Sequence, residues 1–470
     1  MEQMENANVD YSNIDISFKK KNLKNDKLVG IISLGCDKNR VDSEVMLTYL
    51  KEAGYSFTSE PEKADVLIVN TCGFIKSARE EALESIEEMC YYRKDKNSKC
   101  QRLIVTGCMP QKWSPEILDS YPEVDIMLGV DYYSDIVNIL DESFKTEKKI
   151  IKIGKADSLY KVEKRLVTTP ENYAYLKVAD GCDNFCTFCT IPQIRGRYRS
   201  RDMADILSEA NDLVQAGATE LILVAQDISR YGIDKTGKLQ IVELIRNLSK
   251  IQGLKWIRLL YCYPEMISNE LLDEMMKNPK LCNYLDIPLQ HISDNVLKRM
   301  NRKTCKKDIE DFVKRVKSLP QFVAIRTTLM AGFPGETEED FKELCEFIQN
   351  SKLMHVGFFA YSKEDGTPAA SMPNQVPERL KKQRVAVLKQ IQKKVAREVN
   401  NGFIGKIIEV CYEGIDYDRQ LFFGRSMYQT PEVDSLVFFK SKIPLEIGNY
   451  YKVKIKSVSG DDLKGEVVYE

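Results

Sequence analysis

The sequence predicts an α/β protein with three folded regions: an N-terminal doubly wound parallel sheet, a central open, partial (β/α) barrel, and a small antiparallel β-barrel at the C-terminus. Short apolar strands alternate with amphipathic helices over two long stretches, a pattern typical of parallel sheets. Beyond Gly402 the pattern changes to five short strands separated by turns, which favours a small barrel. At 470 residues the chain is long enough for two to four domains.

Composition indicates an ordinary folded protein of a reducing compartment. The chain is 43% hydrophobic and 30% charged, and no apolar run reaches the roughly 18 residues that a membrane span needs. Residues 1–26 mix acidic and basic side chains without an apolar segment, so we expect a loose N-terminal tail rather than a signal or an anchor. Thirteen cysteines without an export signal favour a cytoplasmic location, and a net charge of −1 argues against general binding to nucleic acid.

The first domain is predicted at 27–144, with strands at 28–34, 64–71, 102–106 and 124–128 and helices at 42–53 and 77–92. A cysteine beside a glycine ends each of the first three strands; we call Cys36, Cys72 and Cys108 the N-terminal triplet. Because the carboxyl ends of parallel strands meet at one edge of a sheet, the three thiols can converge there. This pattern predicts an iron–sulfur cluster, and the alternative is three small buried residues at strand ends.

A charged connector is predicted at 145–168, and a second domain at 169–400 repeats the alternation of strands and helices. Its strands are expected at 173–179, 220–225, 256–261, 284–289, 324–331 and 355–361. Helices are expected at 204–216, 241–248, 270–276 and 338–349, followed by a long charged helix at 374–401. Six such units predict an open barrel rather than the closed eight-unit one, with its chemistry at the C-terminal ends of the strands.

The third domain is predicted at 401–470, with strands at 404–412, 420–424, 434–439, 450–457 and 463–468. From Gly402 onward it carries nine basic and eleven acidic residues, a net charge of −2. A module that binds RNA should be basic. The charge therefore favours a basic protein partner, although an ordinary solvated surface has the same composition.

Three more cysteines follow the first strand of the second domain with the spacing C-x-x-x-C-x-x-C; we call Cys182, Cys186 and Cys189 the loop triplet. Three thiolates this close hold a soft metal centre, and on a four-iron cubane they leave one iron open to a substrate or cosubstrate. The alternatives are zinc and a disulfide. Structural zinc needs a fourth N or S ligand, but the two histidines, His291 and His355, are distant in sequence, and disulfides are rare without secretion.

The two triplets, the open barrel and the C-terminal barrel together resemble the methylthiotransferase family of radical S-adenosylmethionine (SAM) enzymes over nearly the whole chain. That family has an N-terminal methylthiotransferase domain, a barrel of radical-SAM type and a C-terminal TRAM barrel. Motifs at 33–44, 193–201, 286–291 and 332–337 resemble its RimO branch. The tRNA-modifying MiaB branch usually has Gln-Met-Asn after its first cysteine, where this chain has Asp37, Lys38 and Asn39.

The resemblance implies methylthiolation of the β-carbon of an aspartate in ribosomal protein S-twelve of the small subunit. The loop triplet would bind a 4Fe–4S cluster whose open iron takes SAM, and reductive cleavage would release the radical that abstracts the hydrogen. The N-terminal triplet would bind an auxiliary 4Fe–4S cluster that presents sulfur, which a second SAM methylates. A low-potential electron donor such as flavodoxin or ferredoxin is implied as a partner.

Four residues are predicted to contact SAM. By family resemblance Phe188 would lie along the adenine, and it otherwise packs as an ordinary aromatic. Gln226, Gln290 and Arg326 are weaker candidates, each equally interpretable as a structural hydrogen-bonding group. The arginine run at 195–201 favours a solvated face, with substrate docking as the alternative.

Two other functions fit parts of the sequence. A tRNA adenosine methylthiotransferase would use the same chemistry, but the −2 charge of the third domain and the departure at Asp37 and Lys38 argue against tRNA as a partner. A non-catalytic iron–sulfur assembly protein would not cleave SAM. The loop triplet argues against it, since it leaves one iron open.

Overall fold

The computed structural model describes residues 26–161 and 164–469, so the tail predicted at 1–26 lies outside the described residues except for Asp26. The described chain separates into two compact units. The first contains the residues up to Pro170 together with Tyr175–Asp183 and Cys189–Leu213. The second contains Glu171–Ala174, Asn184–Phe188 and the chain from Val214 onward. Within these ranges no helix is long and apolar enough to cross a membrane.

The N-terminal sheet of the first unit is parallel and doubly wound, as predicted. Its elements are β1 (Leu28–Ser33), α1 (Asp37–Glu52), β2 (Ser56–Phe57), β3 (Val66–Thr71), α2 (Lys76–Lys94), β4 (Arg102–Gly107), α3 (Pro110–Ser120), β5 (Ile126–Leu128), α4 (Ile136–Ser143) and β6 (Ile150–Lys152). The strand order is β2-β1-β3-β4-β5-β6. Alternate residues of β3 pack into two different hydrophobic cores: Ile68 belongs to one, and Leu67 and Val69 belong to the other. Both faces of the sheet are therefore covered.

Four of these strands and two helices were predicted, while β2, β6, α3 and α4 were not. The strand β6 lies inside the segment predicted as a charged connector and pairs in parallel with β5. Its apolar signal consists of Ile150, Ile151 and the following Ile153 among lysines, which is too short for hydrophobic periodicity to reveal the strand. Pairing with β5 decides its conformation.

The chain continues through β7 (Tyr173–Lys177), β8 (Ala179–Asp180), α5 (Ile191–Ile194), β9 (Arg199–Ser200) and α6 (Met203–Gln215). The single strand predicted at 173–179 is therefore two strands, since β8 leaves the sheet of β7 and pairs antiparallel with β9. The break falls at Val178, whose carbonyl oxygen accepts a hydrogen bond from the backbone N–H of Arg201.

The second unit contains the open parallel barrel. Its elements are β10 (Glu220–Val224), α7 (Ile233–Thr236), α8 (Ile241–Leu248), β11 (Trp256–Leu259), α9 (Asn269–Lys277), β12 (Leu281–Asp286), α10 (Asp294–Arg299), α11 (Lys306–Lys317), β13 (Ala324–Ala331), α12 (Glu338–Ser351), β14 (His355–Ala360) and α13 (Glu378–Asn401). The strand order is β14-β13-β12-β11-β10-β7, so neighbours in the sheet are successive in the chain. The sheet remains open within the described residues, which confirms the predicted partial barrel.

The C-terminal barrel consists of β15 (Ile407–Asp416), β16 (Leu421–Ser426), β17 (Val437–Lys440), β18 (Tyr450–Ser459) and β19 (Asp462–Val467). It closes in the order β15-β16-β17-β19-β18. Four of its five strand pairs are antiparallel, as predicted, but β17 and β19 pair in parallel. The parallel pair arises because β18 pairs with β15 and β19, which leaves β19 to close the barrel beside β17.

Candidate functional site

The N-terminal triplet lies at the carboxyl ends of β1, β3 and β4, which are neighbours in the sheet. Cys36 also occupies the N-cap position of α1. Gly35 has φ +86°, and a Cβ atom on it would lie 3.0 Å from the Sγ of Cys72. Glycine is therefore required for Cys72 to approach the turn that carries Cys36.

The three thiols influence one another electrostatically. Burial, followed by the neighbouring thiols of Cys108 and Cys36, raises the pKa of Cys72 to about 12. Burial also raises the pKa of Cys108, although the guanidinium of Arg195 acts in the opposite direction. Thiols in this environment keep their protons at neutral pH unless a metal centre replaces them, as it does on ligation.

Arg195 is the polar side chain most closely engaged with this triplet. Its Nε and Nη2 atoms donate to the Sγ of Cys108 at 3.4 and 3.3 Å. Nη1 donates to Asp42 at 2.6 Å and to Asp180 at 3.2 Å, and Nη2 also donates to Asn39 at 3.3 Å. All five N–H donors of the guanidinium thus have an acceptor.

Lys177 completes a buried group of four charges, the charge quartet of Arg195, Lys177, Asp42 and Asp180. Its Nζ lies 2.5 Å from Asp42 and 3.0 Å from Asp180. Burial lowers the pKa of Lys177, but the two carboxylates outweigh it, so the pKa is raised. Two positive and two negative charges balance within the quartet, which is how buried charges are tolerated.

The solvated face predicted for the arginine run is wrong for two of its members. Arg195 is 1% exposed and Arg201 is 4% exposed, whereas the side chain of Arg197 is largely exposed. Arg195 pairs with Asp42, which is far away in sequence, and with Asp180, whereas Arg201 pairs with Glu209 of the following helix α6. None of these carboxylates lies within the run itself. The spacing of the arginines offered no signal, because arginines spaced by two residues would share one face of a strand.

In the first unit, the start of the loop triplet is held by a tight turn. Gly181 has φ +77°, and a Cβ atom on it would lie 2.1 Å from the carbonyl oxygen of Arg197. The backbone N–H of Cys182 donates to Gly196 at 3.2 Å, and Asp183 forms an ion pair of 2.7 Å with Arg197. These local contacts shape the backbone that presents Cys182.

In the second unit, an arginine side chain contacts Cys186 of the loop triplet. Arg302 donates from Nη1 to the Sγ of Cys186 at 3.6 Å and from Nη2 to the carbonyl of Pro288 at 2.8 Å. Asn184 donates to Asp227 at 3.0 Å, which ties the loop to the segment after β10. Burial raises the pKa of Asp227.

The N-terminal triplet has the donor chemistry of an iron–sulfur cluster. Among residues 26–161 and 164–469, no three His, Cys, Asp or Glu side chains form a group that could hold a metal ion. A cubane binds each thiolate at a different iron, so its ligands lie further apart than those of one ion. The N-terminal triplet fits such a cluster: three thiols lie at one sheet edge, a Cβ at Gly35 would fill the space beside Cys72, and the guanidinium of Arg195 donates to the sulfur of Cys108.

The second unit contains all four predicted SAM contacts. Phe188 packs edge to face on Phe333 with ring centroids 6.2 Å apart. Gln226 lies just beyond β10, and Gln290 adopts φ +71° while its backbone bridges to β13. A left-handed non-glycine residue at the carboxyl edge of a barrel is often associated with function.

Arg326 differs from the other three because carboxylates already engage it. Its Nη1 lies 2.9 Å from Asp286 and its Nε lies 3.5 Å from Asp434. Burial lowers the pKa of Arg326, but Asp286, Tyr284 and Asp434 outweigh it and the pKa is raised. These contacts favour the structural interpretation of Arg326, and its role toward SAM remains a prediction.

Three family profiles match successive parts of the chain. The profile of uncharacterized protein family UPF0004 matches residues 28–129, that of the radical SAM superfamily matches 176–348, and that of the TRAM domain matches 404–468. The first includes the N-terminal triplet and the second includes the loop triplet.

Curated relatives match nearly the whole chain. The protein named ribosomal protein uS12 methylthiotransferase RimO from Clostridium botulinum (strain Eklund 17B / Type B) is 47% identical over 441 residues, 93% of this chain and 98% of that protein. The proteins of the same name from Clostridium kluyveri and Clostridium acetobutylicum are 47% and 44% identical, each covering 95% of this chain and 99% of the relative.

Solved structures share the fold at much lower identity. The radical SAM methyltransferase TsrM from Kitasatospora setae, solved with cobalamin and a [4Fe-4S] cluster, aligns with a TM-score of 0.55 at 14% identity, covering 73% of this chain and 77% of that one. The same enzyme with tryptophan and a SAM analogue aligns with a TM-score of 0.56 at 13% identity, covering 73% of this chain and 75% of that one. At this identity the likeness concerns the fold alone.

Proposed function

Because this chain belongs to the ribosomal protein uS12 methylthiotransferase family of radical SAM enzymes, we propose that it methylthiolates the β-carbon of an aspartate in uS12. SAM serves both as radical source and as methyl donor. The observation that carries the proposal is identity of 44–47% along almost the full length of relatives with that name, in a chain with two separate cysteine triplets.

The two triplets have different tasks in this proposal. The loop triplet would hold the SAM-binding 4Fe–4S cluster, and the N-terminal triplet would hold the auxiliary one. When bound, the clusters supply the electron that cleaves SAM and the sulfur that is transferred. An unactivated C–H bond is beyond acid–base chemistry, so radical chemistry is needed for this substrate.

The chain's own residues orient the cofactors. Phe188 would pack along the adenine of SAM, with its ring held by Phe333. Gln226 and Gln290 lie at the carboxyl edge of the barrel strands and would offer amide groups to the polar parts of SAM. We place the reaction in the cytoplasm, where free thiols persist and ribosomal proteins occur, with a flavodoxin or a ferredoxin as electron donor.

The test is modification of purified uS12, free and within the small subunit. The anaerobically reconstituted protein is mixed with substrate, SAM and a low-potential reductant, and uS12 peptides are analysed by mass spectrometry. We expect one methylthio group on one aspartate. A matched uS12 in which that aspartate is replaced by asparagine should remain unmodified.

A parallel reaction contains tRNA in place of uS12. A methylthio group on a tRNA adenosine, with unmodified uS12, would overturn the proposed substrate and retain the chemistry. Absence of SAM cleavage from a protein loaded with both clusters would overturn the enzyme assignment and favour an assembly protein.

A further inference from the structure

We propose that Arg195 is a positioning residue for the auxiliary cluster: its guanidinium fixes the sulfur of Cys108 and sets the reduction potential of the cluster through two N–H···S hydrogen bonds. The inference rests on the proposed function, in which Cys108 is a cluster ligand. It concerns a side chain of this protein that contacts that ligand directly within the first unit.

The geometry of the guanidinium is specific for this task. The edge formed by Nε and Nη2 faces the Sγ of Cys108, while Nη1 is directed to Asp42 and Asp180. The planar fork of arginine can hold these two directions at once, whereas a lysine presents a single nitrogen. The arginine is 1% exposed, so water does not compete for these donors.

Because the charges of the quartet compensate one another, the effect of Arg195 on the auxiliary cluster comes from hydrogen bonding rather than from net charge. Asp42 and Asp180 neutralise Arg195 and Lys177 within the same buried group, so the auxiliary cluster experiences little added charge from the quartet as a whole. The two N–H dipoles on Cys108 remain. Hydrogen bonds to cluster sulfurs stabilise the more negative, reduced state and therefore raise the reduction potential.

The loop triplet offers a contrast within the same chain. Cys186 accepts a single, longer contact of 3.6 Å from Arg302, against the two contacts of 3.3 and 3.4 Å on Cys108. The auxiliary cluster thus has the stronger arginine contact of the two.

The experiment compares two double variants that remove the same charges. Arg195→Met with Asp42→Asn deletes the donors to Cys108 and leaves the pair of Lys177 and Asp180, which are 3.0 Å apart. Lys177→Met with Asp180→Asn leaves Arg195 paired with Asp42 at 2.6 Å and keeps both donors. Each variant is made in the full chain with the loop triplet replaced by alanine, so that one cluster contributes to the signal.

The readout is an EPR-monitored redox titration with iron content measured alongside. At a fixed potential, we expect the ratio of reduced to oxidised cluster in the Arg195→Met, Asp42→Asn variant to be about tenfold lower than in the parent. For a one-electron couple this corresponds to a reduction potential lowered by about 59 mV. In the Lys177→Met, Asp180→Asn variant, the ratio of reduced to oxidised cluster should differ from that of the parent by less than about twofold. The hyperfine coupling of exchangeable protons, obtained by comparing ENDOR spectra in H₂O and D₂O, should weaken only in the Arg195→Met, Asp42→Asn variant.

Each outcome decides a separate point. Equal potentials in the two pairs, with full iron content, would overturn the role of Arg195 and leave the proposed function intact. A parent without iron would overturn the auxiliary cluster itself, and this inference with it. If the Arg195→Met, Asp42→Asn variant binds no iron while the control variant does, the titration is carried out on Arg195→Lys instead. A reduction potential equal to that of the parent in Arg195→Lys would then overturn the role of Arg195 in setting the potential.

Discussion

The two cysteine triplets are assembled in opposite ways. The loop triplet lies within eight consecutive residues, and its nearest supports in the first unit, Gly181 and Asp183, are immediate neighbours in sequence. The N-terminal triplet is collected from the ends of three strands by the parallel order of β1, β3 and β4. One triplet depends on a local backbone turn, and the other depends on the tertiary fold of a whole sheet.

This difference indicates which structural changes should disturb each triplet. A short loop keeps its ligand spacing even if distant contacts weaken, because the chain itself limits the separation of the cysteines. Three strand ends keep theirs only while the sheet is intact and its edge is free of added side-chain atoms. The buried arginine on Cys108 strengthens that dependence, since it also holds Asp42 and Asp180, which are far apart in sequence.

The largest expected effect comes from removing one triplet at a time. With the loop triplet replaced by alanine, SAM cleavage should be lost entirely, while about four of about eight irons per chain remain. With the N-terminal triplet replaced, iron should halve while reductive SAM cleavage persists. Iron analysis and detection of 5′-deoxyadenosine check both. Loss of SAM cleavage in the second variant, if it is folded, would contradict the division of tasks.

The next effect tests the sheet edge without touching a cysteine. A Cβ atom on Gly107, which has φ +97°, would lie 2.4 Å from the carbonyl oxygen of Thr71. We expect Gly107→Ala to displace Cys108 at a cost of about 1–3 kcal/mol and to lose most of the iron of the N-terminal triplet, with SAM cleavage retained. Gly237→Ala is the matched control, because Gly237 has φ +72° and nothing within 4 Å of the added atom. Full iron content in Gly107→Ala would show that the edge tolerates the change.

A third test weakens each unit at a comparable buried carboxylate. In the first unit Glu209 lies 2.7 Å from Arg201 and 2.8 Å from Arg165. Glu209→Gln should lower the free energy of unfolding of that unit by about 3 kcal/mol and release iron from the N-terminal triplet at lower denaturant concentration. The chain has two tryptophans, Trp113 in the first unit and Trp256 in the second, so fluorescence of single-tryptophan variants reports each unit.

The matched variant in the second unit is Glu220→Gln. Glu220 lies 2.6 Å from Arg258 and 2.9 Å from Arg425. Its replacement should destabilise the second unit by a similar amount without altering iron retention by the N-terminal triplet. Equal iron loss in the two variants would contradict the separate dependence of the two sites.

Both carboxylates also predict the pH dependence of stability. Burial raises the pKa of each glutamate, but the paired arginines outweigh it, so the pKa of both Glu209 and Glu220 is lowered by folding. Each therefore stabilises its unit above the unfolded pKa of about 4.3, and the stabilisation is lost as the pH falls through the folded value. The difference between wild type and either glutamine variant should accordingly shrink at acidic pH.

The smallest effect concerns the C-terminal barrel. Asp418 and Asp461 are exposed there, and we expect reversal of both to lysine to slow modification of uS12 a few-fold at low salt. The difference should fade as salt rises, because exposed charges are screened beyond about 10 Å at 0.1 M. Asp273→Lys with Glu339→Lys, on exposed helix positions of the second unit, controls for general charge, and SAM cleavage is the internal standard. Unchanged modification would remove electrostatic docking from the account of substrate choice.

Much of the molecule was predictable from local pattern. Period-two and period-3.6 hydrophobicity located the principal strands of both parallel sheets and the five strands of the C-terminal barrel, because each buries an apolar face against a core. Cysteines after three successive strands were enough to predict their common edge, since parallel strands share one direction. Elements with weak apolar signals, such as β2 and β6, were missed.

The tertiary structure alone decided which charged residues serve the sites. By its sequence context Arg195 is one arginine in an exposed-looking run, yet in the fold it is buried against Cys108. Arg326 is held by Asp286 and Asp434 in the fold, and its contact with SAM stays a prediction. Periodicity reports how much apolar surface a segment buries, whereas the partner of a buried charge is chosen by chain segments that are remote in sequence and adjacent only after folding.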